Sequence, residues 1–254
     1  MALGLAPSVQ AVTAADSFES WPGVWTVSPG TMGSQIDAGQ PSQDPDPSTR
    51  AVGAWDGKQA LKVVYGGNTA GTRPEAVASA GGSHQSVALR LMVYVPRSTV
   101  ANMSGGQVVQ IARMMTSETT AGADIAISLV RSTATGNGAI WVQGFYQGVT
   151  ASTVGGPTAT DIAPDTWHTI ELTCNRGVVA DLDLYVDDLT SPAASAPGLT
   201  VLSRGIGAVA VGLTRDLTQN SQPLVWWIDD VAAGPGRIGH GSPRVHFHQD
   251  GFEV

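Results

Sequence analysis

Cysteine occurs once in the 254 residues, as Cys174, which excludes an intramolecular disulfide framework and a Cys-rich zinc centre. Charged side chains are scarce at 13%, about half the usual roughly 25%. Basic residues are scarcer still: 13 Lys and Arg stand against 21 Asp and Glu, a formal net charge of −8. A surface of that sign repels phosphate backbones, so nucleic acid is not an expected partner. No apolar run reaches the ~18 residues of a membrane helix, and no membrane insertion is expected. Nor does any window of about a dozen residues keep an i, i+3, i+4, i+7 apolar stripe free of Gly, Pro or a β-branched run. What is plentiful is 31 Gly, 15 Pro and 42% apolar residues, enough for a full core and for many turns.

The strong patterns have period two. Gln85–Pro96 sets Val87, Leu89, Leu91, Val93 and Val95 against Ser86, Ala88, Arg90, Met92 and Tyr94. Asp124–Ser132 sets Ile125, Ile127 and Leu129 apart; Trp167–Cys174 does the same with Ile170, Leu172 and Cys174; Asp181–Asp187 with Leu182, Leu184 and Val186. Each predicts a strand with one buried face. Further strands are expected at Ala60–Gly66, Gln107–Thr116, Gly138–Gly148, Ile206–Thr214 and Pro223–Ala233, with short edge pieces at Asp16–Glu19, Val24–Val27 and Arg244–His248. Turn chemistry fills Pro41–Pro47, Ala80–Ser83, Thr135–Gly138, Gly155–Pro157 and Pro192–Gly198. Ten to twelve such strands without helical crossovers predict an all-β, antiparallel two-sheet sandwich. The expected organisation is an N-terminal arm over 1–15, the sandwich over 16–233, and a linker and C-terminal arm over 234–254. Met1–Ala15 ends in Ala-Val-Thr-Ala-Ala but lacks a basic n-region, and Pro7, Ser8 and Gln10 interrupt it, so a mature chain starting near Met1 is expected.

Two segments carry a resemblance. Asp165–Asp188 (DTWHTIELTCNRGVVADLDLYVDD) resembles the central hairpin of concanavalin A-like lectin/glucanase domains, including the laminin-G-like branch. Trp226–Val231 (WWIDDV) resembles the closing strand of the same jelly-roll group, and Asp16–Glu19 (DSFE) its first strand. The resemblance implies a jelly roll whose first and last strands lie close together, with Glu19 near Asp229 and Asp230. It implies little about activity, because this fold hosts lectins, hydrolases, lyases and virion proteins.

Glucan hydrolases of that group carry E-x-D-x-x-E on one strand, which aims two carboxylates into one cleft. No such string occurs; Asp181-Leu182-Asp183 comes nearest, and with Glu171 these acids are expected to face water. Alginate-lyase-like members use an Arg-rich strand, a Gln-x-His strand and a Tyr. Arg90 and Tyr94 share a face here and Gln110-Ile111-Ala112 matches the Gln strand, but Ala112 stands where that family has His. Cys174 reads as a small buried hydrophobe rather than a nucleophile. His246 and His248 share a strand face, yet two ligands do not close a metal site unless a symmetric oligomer supplies more. A structural Ca²⁺ held by Glu19, Asp229 and Asp230 is the metal expectation, a solvated acidic edge being the competing reading; no cofactor is otherwise required.

On Gly138–Gly148, Ile140 and Val142 point inward and leave Trp141, Gln143, Phe145 and Gln147 outside. Sugars bind through stacking on aromatic rings and hydrogen bonds to planar amides and Arg. Trp141, Gln143, Arg90, Tyr94 and Arg113 are therefore the glycan candidates, if their strands share one sheet; otherwise Trp141 and Phe145 pack beneath a loop or a subunit. Adjacent Trp226 and Trp227 point to opposite faces, so at least one belongs to the core. Two functions follow as expectations. The first is a non-enzymatic virion protein, tail-associated or capsid-decorating, partnered by other virion proteins or copies of itself and touching bacterial surface polysaccharide. The second is a secreted or phage-borne polysaccharide-cleaving enzyme on the same fold.

Overall fold

Alternating apolar positions can bury one side of a strand against a second layer, and most of the sixteen strands among the described residues do so. The computed structural model describes residues 14–23, 25–30, 33–66, 73–116, 125–133, 139–147, 151–176, 180–199, 205–215 and 222–239. The first sheet contains β1 (Ala14–Asp16), β3 (Gln35–Gly39), β4 (Ala60–Tyr65), β6 (Ser86–Tyr94), β12 (Trp167–Arg176), β13 (Ala180–Val186), β14 (Ala194–Leu199) and β16 (Leu224–Gly234). The second contains β2 (Thr26–Pro29), β5 (Pro74–His84), β7 (Val108–Thr116), β8 (Ile125–Arg131), β9 (Ile140–Gln147), β10 (Ala151–Val154), β11 (Asp161–Ile162) and β15 (Ile206–Gly212). Strand order is β14-β13-β12-β6-β16-β4-β3, with β1 also on β16, against β10-β9-β8-β7-β15-β5-β2, with β11 also on β9. Every pairing is antiparallel, for example Leu89 opposite Leu172 and Ile127 opposite Gly144.

The inward residues are those the alternation selects. Leu89, Leu91, Val93, Ile170, Leu172, Cys174, Leu182, Leu184 and Trp226 from the first sheet meet Ile125, Ile127, Leu129, Ile140, Val142, Val209 and Val211 from the second. Each buried aliphatic side chain contributes about 2 kcal/mol by leaving water. The one-turn helix α2 (Arg97–Asn102) closes one end: Val100 and Met103 reach this core, and Thr99 Oγ1 pairs with the backbone of Val225. The terminal strands pair as the resemblance implies, Asp16 opposite Val231 and Ala14 opposite Ala233, but the first strand is Ala14–Asp16 rather than Asp16–Glu19, since the chain turns at Phe18, φ 62°.

Several local expectations change. Ala80–Ser83 is not a turn; β5 runs through it, with a register shift against β15 between Ser79 and His84. Pro192–Gly198 likewise gives way to β14, an edge strand, where Pro197 costs no inner ladder bond. Within 41–53 a 3-10 turn (Pro41–Gln43) precedes α1 (Pro47–Val52), whose N-cap Asp46 accepts from Ser48 N at 3.0 Å and whose C-cap is Gly53 at φ 74°. The stretch read as a linker is tied to the first sheet as far as Gly239. Arg244–His248, Thr135–Gly138 and most of both arms lie outside the described residues.

Candidate functional site

The outer faces of the two sheets differ. On the first, outward residues of β6, β12 and β16 form a second apolar layer: Met92, Tyr94, Trp167 and Trp227 with Ala60, all buried, and Ala54 packed against them. The segment between β3 and β4 belongs to this layer. Trp167 Nε1 donates to Gly53 O at 2.9 Å, Lys62 pairs with Asp44, and the Lys62 ammonium lies 5.2 Å from the Trp227 ring centre. Further along, Ile238 packs on Ala88 and Ala232. Its N–H and that of Gly239 donate to Glu171 at 3.0 and 2.7 Å, while Arg90 holds Gly239 O at 3.0 Å and Asp230 at 3.2 Å. Arg237 lies 4.0 Å from the Tyr185 ring centre.

On the second sheet, no apolar cluster forms outside among the described residues. A bulge in β7 sets its pattern: Gln110 faces Ser128, then Ala112 faces Ile127, so Ile111 and Ala112 both enter the core while Gln110 and Arg113 point out. The outward residues stand in rows across the strands. One row runs Gln110, Ser128, Gln143; the next Arg113, Ala126, Phe145; a third Val108, Val130, Trp141, Asp161. The strand β8 therefore supplies a small-residue floor, Ala126 and Ser128, between taller side chains of β7 and β9. The walls of this trough stand two strand spacings apart, about 9.5 Å between axes. On the other side β15 is also small, Ala208, Ala210 and Gly212, and Arg113 reaches Glu75 on β5 at 3.3 Å. Gln110 Oε1 accepts from Thr214 Oγ1 at 3.1 Å, which fixes the amide plane at the trough wall. Trp141 Nε1 is buried without an acceptor.

Trp141, Gln143 and Arg113 thus share the outer face of the second sheet with Gln110, Phe145 and Glu75, Trp141 and Arg113 standing two rows and two strands apart. Arg90 and Tyr94 do not join them. They lie on the first sheet and on its outer side, because β6 pairs with β12 and β16 and not with β7 or β9. There the Tyr94 hydroxyl lies under α1, burial pushes its pKa up, and Arg90 is engaged with Gly239 and Asp230. The lyase-like comparison changes too: Ala112 is a core residue, so the outward neighbour of Gln110 is Arg113.

The three acids expected to hold Ca²⁺ do not converge. Asp229 is fully buried, and its oxygens accept from Trp55 N and Asp56 N at 3.0 Å and from Asp230 N at 2.7 Å. Burial pushes its pKa up to about 8, Asp230 adds to the rise, and the three amide donors oppose it. Glu19 accepts from Lys58 N at 2.6 Å and Gln59 N at 2.7 Å, while Asp230 turns to Arg90. Amide protons occupy the lone pairs a hard cation needs, so this donor set does not fit Ca²⁺. Among the described residues, no three His, Cys, Asp or Glu side chains group as metal ligands do.

Glu171 is not water-facing: it is fully buried beneath residues 237–239. Asp181 and Asp183 serve β14, accepting from Gly198 N and Ser195 Oγ. His168 Nδ1 is 2.8 Å from Asp187 and Nε2 2.8 Å from Ala163 O, two acceptors that require both ring protons. Burial works to lower this pKa, and the hydrogen bonds outweigh it, raising it above the ordinary value. Cys174 is 1% exposed, as its alternation predicts, and both tryptophans of the closing strand are buried, Trp226 between the sheets and Trp227 in the outer layer. The pair His246 and His248 lies outside the described residues. Sequence reasoning missed Glu75 and Trp55 and named Gln110 only in the lyase comparison; the alternation of Ala76 and Ala78 with Glu75 and Val77 was the available signal for Glu75.

No protein-family profile and no curated protein matches the chain. Solved structures do. An endo-β-1,4-glucuronan lyase from the fungus Trichoderma reesei is 14% identical, with 89% of this chain and 96% of that one covered and a TM-score of 0.63. The cellulose-induced protein Cip1 is 14% identical over 90% and 100% of the two chains, with a TM-score of 0.58. A carbohydrate esterase of the Shiga toxin-encoding bacteriophage phi24B is 14% identical over 89% and 99%, with a TM-score of 0.53. Strand order, pairing and these near-complete superpositions agree that the fold is an antiparallel two-sheet jelly-roll β-sandwich.

Proposed function

We propose that the chain is a non-enzymatic surface module of a virion that contacts polysaccharide through the trough along β8. The observation that carries the glycan contact is the row structure: buried Ala126 and Ser128 between Gln110 and Arg113 on one side and Gln143 and Phe145 on the other, with Trp141 at one end. Planar amides and a guanidinium beside the half-buried rings of Trp141 and Phe145 supply the hydrogen bonds and stacking that a sugar chain takes. The similar structures named above include carbohydrate-active proteins, which supports a glycan-related role. Placement on a particle rests on the low-charge, Gly-rich composition and on a phage protein among those structures. The competing reading, a polysaccharide-cleaving enzyme, is favoured by the lyase likeness alone. Glycoside hydrolysis needs two carboxyls across the bond; among the described residues Glu75 is engaged by Arg113, and Asp161 stands beyond Trp141 at the end of its row, on the far side from Glu75.

A polysaccharide panel scored in parallel for retention, reducing ends and unsaturated products tests this. Retention without turnover, reduced at least about tenfold by Gln143→Ala, is expected. Turnover on any member overturns the non-enzymatic reading, and the protein's absence from purified particles of its phage overturns the virion placement.

A further inference from the structure

On the side of the molecule opposite the trough, the chain displays a tryptophan on a loop tied down at four backbone amides. Trp55 is 48% exposed, although its own N–H and that of Asp56 are held by the fully buried Asp229 carboxylate. Three residues later Glu19 holds the N–H groups of Lys58 and Gln59, and a Cβ on Gly57, at φ 66°, would collide with that carboxylate. The loop's beginning is fixed as well, through Gly53 O and Trp167. None of these contacts uses the indole. A rigid backbone presenting an aromatic ring to water loses little conformational entropy when something stacks on it.

The surroundings select the occupant. Among the described residues the large exposed apolar side chains are Val52, Trp55 and Val108, and Val108 belongs to the other sheet. One indole and one valine fall far below the ~800 Å² per partner of a stable protein interface, but match the C–H face of a pyranose ring. The charged residues beside Val52 and Trp55 are Arg50, Asp56 and Lys58, with Glu19 held by the Lys58 and Gln59 amides, a balanced set that offers no net attraction to a uronate. We propose that Trp55 is the stacking platform of a second saccharide contact, specific for neutral sugars and separate from the β8 trough. Two contacts on opposite faces allow one molecule to bridge two glycan chains, so that retention on a dense polysaccharide exceeds either contact alone.

The seven tryptophans give separate indole N–H signals in a ¹H–¹⁵N spectrum, assigned by loss in Trp55→Ala and Trp141→Ala. Cellotetraose, xylotetraose and mannotetraose are titrated to about 5 mM, a range that registers millimolar single-ring contacts. The Trp55 signal is expected to move with at least one of them and not with a glucuronate oligomer, and the movement to persist in Trp141→Ala. A Trp55 signal unmoved by all three, or moved equally by the glucuronate oligomer, overturns the proposal. Movement of Trp141 without Trp55 leaves the trough reading standing and removes this one; the converse does the reverse. Trp55→Phe, which keeps a ring, is expected to retain neutral-sugar retention on a gel that Trp55→Ala loses, and equal loss in both marks a folding defect only if the Trp167 and Trp227 signals also shift; without such shifts, it too overturns the proposal.

Discussion

The two sheets share a core but differ outside. The first turns outward Met92, Tyr94, Trp167 and Trp227, and it is sealed by its own chain: the stretch around α1 on one part, residues 237–239 on another. The second turns outward amides, small residues, an Arg–Glu pair and half-buried aromatics, with no second apolar layer among the described residues. The sealing side relies on buried carboxylates that accept backbone N–H groups, a role for acids in covering a sheet. The proposed trough occupies the open second face, whereas the first is a sealed layer on whose covering loop Trp55 stands, and substitutions can test that division.

Asp229→Ala has the largest expected effect. It strands three N–H donors, those of Trp55, Asp56 and Asp230, at about 1 kcal/mol each, so urea denaturation should report a loss of ~3 kcal/mol. Glu171→Ala follows, with two stranded amides and the loss of the Arg237 ion pair at 3.8 Å; ~2 kcal/mol is expected, with faster amide exchange at Ile238 and Gly239. Unchanged exchange there would break the sealed-face account.

The pH dependence comes next. Asp229 and His168 both have raised folded-state values. For each, the unfolded chain loses its proton first as pH rises. Stability is therefore full at low pH and declines as pH climbs, toward about 8 for Asp229 and through the raised value of His168. Asp187, lowered by its bond to His168, works at the acid end, where stability is lost as pH falls through its folded value. The melting temperature at pH 9 should lie ~2–4 °C below that at pH 6, and both Asp229→Asn and His168→Gln should flatten the slope. The smallest stability effect belongs to the second face. Trp141→Ala should shift melting by less than ~2 °C while weakening polysaccharide retention in affinity electrophoresis. A large melting shift would mean that Trp141 is structural and would erase the contrast.

Much of the core was legible from alternation. Val87 through Val95 and Ile125 through Leu129 face inward as their spacing requires. Alternation does not say which sheet a strand joins, and that is why Arg90 and Tyr94 were grouped with Trp141. Nor does it say whether a distant segment covers an outward face: Glu171 looks solvated in the sequence and is buried by residues 66 positions later and beyond. The bulge at Ile111 and Ala112 breaks the period where the trough wall forms, so Gln110 and Arg113, three apart, share a face that a strict alternation denies them. The helices α1 and α2 are too short to show a stripe, although Asp46-Pro47 carries a capping signal.

The clasp of Glu171 and Arg90 on Ile238 and Gly239 also sets an orientation. Gly239 is held over the first sheet, on the far side from Gln143 and Trp141. A support gripping that end would turn Ala126, Ser128 and their rim toward the surroundings, like a palm held outward on a wrist.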